Sequence, residues 1–255
     1  MSSDNVASTA KTTAPAPQED MLVNINYLPR YQSVLREHLP SELKAFAPFF
    51  ANLNRLCTMT ALLERHVGDT SRTILNAGCG PFAAEIFSVS FQNRRVSSFD
   101  YTKGFGDLYP VLRQEGHLAT THFVRGDANT IVYPLQSSDL IVFHDIFYEP
   151  ALNVPDVLAR FKTFLRPGGH IYLDYMNQST AWLWRLLGKE RQYKRYTAAQ
   201  IRTALEENGF EILELQRSSG TNSRVVKLFN HVLWTVFRTS NAFALVARKR
   251  TSGRV

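Results

Sequence analysis

Two glycines one residue apart follow a short apolar run, and this is the part of the chain most suggestive of ligand binding. The run is Ile74–Ala77, and Gly78 and Gly80 lead into Pro81 and Phe82. Glycine lets a backbone turn sharply and approach a ligand closely, because it has no Cβ. A helix starting at Pro81 would present free amides and a positive dipole end to a polar group. The pattern predicts a strand, a tight loop and a helix around a small polar molecule.

Polar side chains follow the next three apolar runs at matching positions. They are Asp100 after Val96–Phe99, Asp127 in the stretch after His122–Arg125, and His144 with Asp145 after Leu140–Phe143. Carboxylates accept hydrogen bonds from hydroxyl and amino groups, and an imidazole can bind or release a proton near neutral pH. Side chains at the carboxyl ends of neighbouring parallel strands meet in one crevice. The spacing therefore predicts a single site at one edge of a sheet.

The elements that must position these residues alternate between strand and helix patterns. Strands are predicted at Thr73–Ala77, Val96–Phe99, His122–Arg125, Leu140–Phe143, His170–Leu173, Phe210–Leu215 and Asn241–Ala247. Helices are predicted over Phe105–Glu115, over 154–165 and between a capping box at Thr197–Gln200 and Gly209. This alternation predicts an α/β fold, with a seven-stranded and mostly parallel sheet covered by helices on both faces.

The flanking regions are predicted from composition and periodicity. Residues 1–20, rich in Ser, Ala, Thr and Pro, predict a disordered tail. An apolar stripe within residues 21–70 predicts an N-terminal helical cap, kinked near Pro48, that acts as a scaffold or covers the site. Residues 71–255 are predicted to form the core, with a lid or insert around 176–196 and 217–240.

Composition narrows the class of protein. A chain of 255 residues that is 44% hydrophobic and 20% charged is typical of a globular protein. The two cysteines are too few for a disulfide framework, which favours a cytoplasmic location, and no cluster of metal ligands is visible. No run approaches the roughly 20 apolar residues of a transmembrane helix.

Basic residues concentrate in the last third of a chain whose net charge is +7. They are Arg185, Lys189, Arg191, Lys194, Arg195, Arg202, Arg248, Lys249, Arg250 and Arg254. Three interpretations stay open: a solvated lid over the substrate, an RNA-binding surface, or contact with an anionic membrane in which Trp182 and Trp184 take part. An acidic substrate is a further class of partner for this charge.

The ordered set of motifs resembles the class I S-adenosylmethionine-dependent methyltransferases. The matching runs are ILNAGCGPF (74–82), FDYT (99–102), GDA (126–128), SDLIVFHD (138–145), LRPGGHIYLDY (165–175) and TAAQ…NGFEILEL (197–215). The resemblance implies a Rossmann-like, doubly wound sheet and S-adenosyl-L-methionine as the cofactor. It also implies in-line methyl transfer to a nucleophilic atom of an acceptor.

The resemblance also implies which residues bind the cofactor. They are Asn76, Ala77, Gly78, Cys79, Gly80, Phe82, Asp100, Tyr101, Asp127, Ala128 and His144. In the family's pattern the glycine loop lies against the methionine part, Asp100 binds the ribose, and Asp127 and Ala128 contact the adenine. Asn76 stands where the family usually has an acidic residue, and Phe82 where it commonly has glycine. These departures keep open a cofactor-binding protein without transfer activity.

His144 and Asp145 are the predicted catalytic residues. His144 would act as the base if the acceptor must lose a proton, and the alternative is that it only lines the cofactor pocket. Tyr27, Tyr31, Tyr148 and Tyr175 are predicted to contact or enclose the substrate. The expected acceptor is a small organic molecule, with anionic compounds and secondary metabolites included. RNA or protein is the alternative acceptor, and a monomer or homodimer is expected.

A nicotinamide-dependent oxidoreductase is the alternative at the level of the glycine motif. Gly78 to Ala83 matches G-x-G-x-x-G/A, and Asp100 follows Gly80 at a distance suited to a ribose-binding acid. However, Pro81 removes a backbone amide from the turn that would bind the pyrophosphate. The later motifs are also unexplained by that interpretation, so the sequence favours the methyltransferase.

Overall fold

The computed structural model describes residues 33, 36–47, 53–80, 95–114, 121–186, 193–218 and 224–251. The strands are β1 (Thr73–Ala77), β2 (Arg95–Asp100), β3 (Thr121–Arg125), β4 (Ser138–Phe143), β5 (Leu165–Met176), β6 (Phe210–Ser218) and β7 (Ala242–Lys249). The α-helices are α1 (Leu53–His66), α2 (Lys103–Gln114), α3 (Val154–Phe164), α4 (Ala181–Leu186), α5 (Ala198–Glu207) and α6 (Arg224–Phe237). Short 3-10 helices cover Ser41–Phe46, Gly68–Thr70 and Gln178–Thr180. The predicted tail, the kink at Pro48 and the helix from Pro81 lie outside the described residues.

The described strands form one sheet in the order β3-β2-β1-β4-β5-β7-β6. The first five in this order are parallel, and β7 runs antiparallel to both β5 and β6. The strand order reverses between β1 and β4, where open α/β sheets have their ligand crevice. The predicted seven-stranded, mostly parallel, Rossmann-like sheet is confirmed.

Alternate strand residues contribute to two hydrophobic cores, one on each face of the sheet. Ile74 and Val142 belong to the core that contains α1 and α2, whereas Leu75 and Phe143 belong to the core that contains α3 and α5. Strands buried on both faces appear in the sequence as nearly continuous apolar runs, because neither face is solvated. The prediction of helices on both faces is confirmed.

The carboxyl end of helix α1 is attached to the sheet. Arg65 donates to Glu214 on β6 at 2.8 Å, and His66 Nε2 lies 2.7 Å from the same carboxylate. The apolar side chains of Met59 and Leu63 are fully buried beneath the helix. These contacts fix the helix, so its first turn is held near the carboxyl ends of β4 and β5.

Some element boundaries differ from the predicted ones. Strand β5 begins at Leu165 rather than His170, because Leu165 pairs with Ser138 across an irregular register that includes the left-handed Gly168. The capping box is confirmed, since Thr197 Oγ1 accepts from the Gln200 amide at 3.1 Å. The region 217–240, expected as a lid or insert, contains helix α6.

Candidate active site at the carboxyl ends of the strands

A cleft of about 400 Å³ opens at the carboxyl ends of β1 to β4. This volume lies within the range of roughly 300–1,000 Å³ that is usual for small-molecule sites. Predicted site residues that line it are Gly78, Gly80, Asp100, Tyr101, Asp127, Ala128, Asp145 and Tyr148. Further lining residues, which the sequence did not single out, include Phe99, Thr102, Phe105, Ile146, Glu149 and Leu152.

The glycine loop after β1 has a conformation that requires glycine. Gly78 has a φ of +71° and Gly80 a φ of +42°, in the left-handed region that residues with a Cβ rarely adopt. A Cβ on Gly78 would also lie only 2.5 Å from Cγ2 of Ile146. The amides of Gly78 and Cys79 both donate to the carbonyl of Phe99 at 3.0 Å, which ties the loop to β2.

Three other predicted cofactor residues lie behind this loop. Asn76, Ala77 and Cys79 are buried and are not among the described residues that line the cleft. The side-chain nitrogen Nδ2 of Asn76 lies 3.5 Å from the carbonyl oxygen of Cys79. They therefore support the loop from inside the sheet. Phe82 lies outside the described residues.

Asp100 is a buried carboxylate at the tip of β2. One oxygen accepts from the Thr102 amide at 2.8 Å, and the other lies 3.8 Å from Sγ of Cys79. Burial raises the pKa of Asp100 above its usual value, although hydrogen bonds from the backbone of Thr102 and Gly80 oppose the shift. A carboxyl group held in this way in a cleft is suited to accept further hydrogen bonds from a ligand.

The loop after β3 forms the far end of the cleft. Asp127 Oδ1 accepts from the Asn129 amide at 2.8 Å, and its carbonyl accepts from Ile131, so the turn is closed on itself. Ala128 is buried against the core, while the Asp127 side chain is exposed. The apolar Ala128 and Leu152 face the same cleft as the polar Asp127.

Beside the glycine loop, Asp145 lines the cleft and belongs to a buried ionic cluster. Arg55 from α1 contacts Asp145 at 2.5 Å and Asp174 at the end of β5 at 2.9 Å. The Asp145 amide donates to Asp174 Oδ1 at 2.7 Å, and Asp145 itself has a φ of +60°. Such a backbone conformation costs about 1–2 kcal/mol in a residue with a Cβ. The cluster therefore holds one carboxylate at the cleft wall in a fixed orientation.

The charges of this cluster depend on each other. Burial alone would raise the pKa of Asp174, but the nearby Arg55, followed by His144, outweighs it and holds the pKa below its usual range. Burial acts in the opposite sense on Arg55, where the two aspartates outweigh it and raise the guanidinium pKa. Arg55 therefore stays charged, and Asp174 stays ionised at neutral pH.

His144 lies beneath the cleft wall rather than in the cleft. Its imidazole is buried, with Nδ1 3.1 Å from Asp174 Oδ2, although the two atoms do not have hydrogen-bond alignment. It is not among the described residues that line the cleft. On β5, the Tyr172 hydroxyl donates to the same oxygen of Asp174 at 3.3 Å.

The four predicted substrate tyrosines have different positions. Tyr148 lines the cleft, with its ring 5.3 Å from that of Tyr193, and burial followed by the charge of Asp145 raises its pKa. Tyr175 is buried in the core, and its hydroxyl has no hydrogen-bond partner among the described residues. Tyr27 and Tyr31 lie outside the described residues.

Sequence reasoning missed Arg55 and Asp174. Asp174 had a signal, because it ends an apolar run just as Asp100 does. Arg55 had a weaker one: it lies four residues before the buried Met59 on the inward face of α1. A charged residue at an apolar position of a helix calls for a buried partner. Within the described ranges, no group of acidic, histidine or cysteine residues could hold a metal ion.

Comparison with known proteins agrees with this geometry. The sequence model of a family described as a methyltransferase domain matches residues 37–215, which is more than half of the chain. No curated protein matches the chain. The chain belongs to the class I S-adenosylmethionine-dependent methyltransferases, as its motifs implied, and the family's cofactor is S-adenosyl-L-methionine.

Solved structures show the same fold at low sequence identity. The [4+2]-cyclase SpnF is 17% identical with a TM-score of 0.61, over 87% of this chain and 96% of that chain. A chain of the Haloferax volcanii complex between the Trm112 methyltransferase activator and a methyltransferase is 16% identical with a TM-score of 0.64, over 85% and 100%. A geranyl diphosphate methyltransferase in complex with S-adenosylmethionine is 12% identical with a TM-score of 0.58, over 75% and 84%.

Proposed function

We propose that this protein transfers a methyl group from S-adenosylmethionine to a small organic acceptor bound beside Asp145. The observation that carries the proposal is the continuous cleft that joins the glycine loop, Asp100 and Asp145. The glycine loop and the carboxylate of Asp100 are groups of the kind that bind this cofactor. Asp145 is a polar side chain in the wall of the same cleft. The family supports the reaction, whereas the acceptor and the roles of individual residues are our inference.

The residues of the cleft fit the cofactor. Gly78 and Gly80 leave room at the loop, where a side chain would collide with Ile146 or strain the backbone. Asp100 would accept hydrogen bonds from the ribose hydroxyls, and Asp127 would contact the adenine amino group. When bound, the cofactor supplies a methyl group on a positively charged sulfur, which is an activated leaving group.

Asp145 is the residue that we expect to meet the acceptor. Its side chain is nearly buried and is fixed by Arg55, while its backbone is fixed by Asp174. A fixed carboxylate can orient an acceptor through a hydrogen bond and accept its proton, and orientation is a main source of rate in such a transfer. His144 then acts as a positioning residue, because it contacts Asp174 rather than the cleft.

The charge of the cleft favours an uncharged or cationic acceptor. The charged side chains that line it are Asp100, Asp127, Asp145 and Glu149, and no lysine or arginine among the described residues does so. With Asp100 and Asp127 assigned to the cofactor, Asp145 and Glu149 are the charged groups left for the acceptor. An anionic acceptor would meet repulsion from these carboxylates. This inference differs from the acidic substrate that the overall positive charge had left open.

One structural neighbour is named as a geranyl diphosphate methyltransferase, which supports the small size of the acceptor but not the charge proposed here, since a diphosphate is an anion. Another neighbour is named as a cyclase. The cyclase also shows that a similar fold serves a reaction other than the one proposed here. A test must therefore measure methyl transfer itself and not only binding of the cofactor.

The first experiment measures cofactor binding by titration calorimetry. Asp100→Ala removes the proposed ribose contacts, and we expect the dissociation constant to rise about 100-fold, since two hydrogen bonds to a charged group are lost. Glu207→Ala, on the exposed face of α5, is the matched control and should bind as the wild type does. Near-normal binding by Asp100→Ala would refute the placement of the ribose.

The second experiment measures turnover with methyl-labelled S-adenosylmethionine and a panel of amines, phenols and acids. We expect label in an uncharged or cationic acceptor, and a fall in kcat for Asp145→Asn with little change in cofactor affinity. Tight cofactor binding without label in any acceptor would favour the cofactor-binding protein instead. Transfer confined to acidic acceptors would contradict our inference about charge.

A further inference from the structure

Helix α6 presents a row of exposed aliphatic side chains to solvent. Leu228 is 65% exposed, Val232 43% and Val236 64%. Residues four apart lie on one face of a helix, so the three form a continuous stripe. The helix is attached to the protein through the buried Leu233 and through Trp234, whose ring lies 4.2 Å from the Arg217 guanidinium carbon.

Helix α4 adds exposed apolar residues next to the end of α6. Trp182 and Leu186 are exposed and again four residues apart. Asn177, just before α4, donates to Thr239 at 2.8 Å and to the carbonyl of Ser240 at 2.7 Å, just after α6. These bonds fix the start of one helix to the end of the other. We call Trp182, Leu186, Leu228, Val232, Val236 and Phe237 the α4–α6 surface.

The part of the chain that contains α6 has charges of one sign only. From Leu215 to Val255 the sequence has eight lysines and arginines and no aspartate or glutamate. Arg238 directly follows α6 and is exposed. Not all of these residues lie near α6: Arg248, Lys249 and Arg250 lie at the far end of β7, beside the amino end of β5. Arg217, Arg224, Lys227 and Arg238 lie within α6 or next to it along the chain, and the exposed Arg185 lies on α4. Exposed aliphatic residues beside basic residues favour a partner with an apolar interior and an anionic surface.

We propose that the α4–α6 surface docks this protein on an anionic lipid bilayer. The aliphatic row would enter the boundary between headgroups and acyl chains, and the basic residues would attract anionic headgroups. No helix of the described residues is long and apolar enough to cross a membrane. Helix α6, with 14 residues, would instead lie in the plane of the interface.

The observations favour a bilayer over two other partners. RNA would be bound by the basic residues, but it offers nothing for a row of exposed aliphatic side chains. In a twofold dimer the same surface would face its own copy. That arrangement would bring the basic residues of α4 and α6, among them the exposed Arg185 and Arg238, close to those of the second copy and cost repulsion.

The position of the surface relates docking to the cleft. Asn177, which fixes α4 to α6, directly follows the carboxyl end of β5. Three residues earlier, Asp174 binds Arg55 and the amide of Asp145. The docking surface therefore begins at the same edge of the sheet as the cleft, so docking brings that edge toward the bilayer.

The test is flotation of the purified protein with vesicles of phosphatidylcholine, with or without phosphatidylglycerol. We expect binding to the anionic vesicles that weakens with added salt, because salt screens the attraction. Replacement of the row by L228S/V232S/V236S should weaken this binding by about tenfold or more, since three aliphatic groups no longer enter the bilayer. Circular dichroism checks that the variant is folded.

A matched control uses exposed aliphatic residues at the opposite edge of the sheet. Val132 and Leu135, 90% and 71% exposed, lie in the loop before β4. The variant V132S/L135S should bind the anionic vesicles as the wild type does. An equal loss of binding in both variants would overturn the assignment to the α4–α6 surface.

Other outcomes would also overturn the proposal. They are no binding to anionic vesicles at low salt, equal binding to neutral vesicles, and a dimer in sedimentation velocity that the triple variant abolishes without any vesicle binding. Binding to polyuridylate but not to vesicles would assign the basic segment to RNA. None of these measurements uses methyl transfer, so their result is independent of the proposed reaction.

Discussion

The cleft and the C-terminal segment carry charges of opposite sign and bury them to different extents. In the cleft, the lining charges among the described residues are carboxylates, and Asp100 and Asp145 are nearly buried with defined partners. From Leu215 onward the charges are all basic, and Arg248 is about half exposed in its pair with Glu211. The first arrangement specifies where a ligand atom lies, whereas the second leaves its charges in contact with solvent.

The physical reason for this contrast is solvation. A buried charge must have a partner, because leaving it alone in the interior costs several kcal/mol. An exposed charge is solvated by water, and its ion pairs contribute roughly 0–1 kcal/mol. Buried charges are therefore sensitive to single substitutions, and exposed charges act mainly through their number.

Replacement of the buried cation should have the largest effect. Arg55→Met leaves Asp145 and Asp174 without their guanidinium, and we expect the free energy of unfolding to fall by about 3–5 kcal/mol. The matched change Arg248→Met, in an exposed pair, should cost less than about 1 kcal/mol. Urea denaturation measures both. Equal losses would remove the distinction between the two regions.

The pH dependence of Arg55→Met sharpens the same prediction. In the wild type the pKa of Asp174 is lowered, so its contribution to stability is present above the ordinary carboxyl pKa of about 4 and is lost as pH falls. Without Arg55, burial favours the protonated form. The difference in stability between wild type and variant should therefore shrink toward acid pH. A difference that stays constant from neutral to acid pH would contradict the ionic explanation.

A change at Asp100 should have an effect of intermediate size. It should raise the stability of the cofactor-free protein and lower the affinity for the cofactor. Burial raises the pKa of Asp100, so its ionisation lowers the stability of the cofactor-free protein as pH rises through that pKa. Asp100→Asn should raise the melting temperature without cofactor at neutral pH, and weaken cofactor binding by about tenfold. Thermal denaturation and calorimetry measure the two effects. A lower melting temperature would indicate that the carboxylate stabilises the fold instead.

The smallest expected effect lies in the C-terminal region. Arg217→Ala removes the cation over the ring of Trp234, an interaction of about 0.5–1 kcal/mol. Hydrogen exchange in α6 should become faster while global unfolding changes little. Arg217→Lys keeps a cation near the ring and should show a smaller change. Unaltered exchange in Arg217→Ala would show that the Arg217–Trp234 contact does not stabilise the helix.

Much of the fold could be predicted because its signals are local. The strands around Ile74 and Ile141 are apolar runs that end next to glycine or acidic residues, and the run around Val246 ends at three basic residues. The carboxyl ends of the strands are where a parallel sheet binds ligands. Strand β5 was predicted too short, because its first residues include Pro167 and two glycines that resemble a turn.

The candidate site was less predictable, because two neighbouring residues can face opposite ways. His144 and Asp145 are adjacent, yet His144 lies beneath the wall and Asp145 lines the cleft. Likewise Tyr148 lines the cleft and Tyr175 lies in the core. His144 and Asp145 follow the end of β4, and the left-handed backbone at Asp145 turns its side chain toward Arg55. That turn depends on tertiary contacts, which the sequence pattern does not record.

The sequence by itself determined the order of strands and helices, the family and the glycine loop, since each depends on residues close together along the chain. Only the tertiary structure decided that Arg55 meets Asp145 and Asp174, which follow it by 90 and 119 positions. It also decided that α4 and α6 are joined through Asn177. Such contacts form when a helix packs across several strands and brings distant parts of the chain together. A buried charge then pairs with an opposite charge that is near in space, and the spacing along the sequence does not show which one that is.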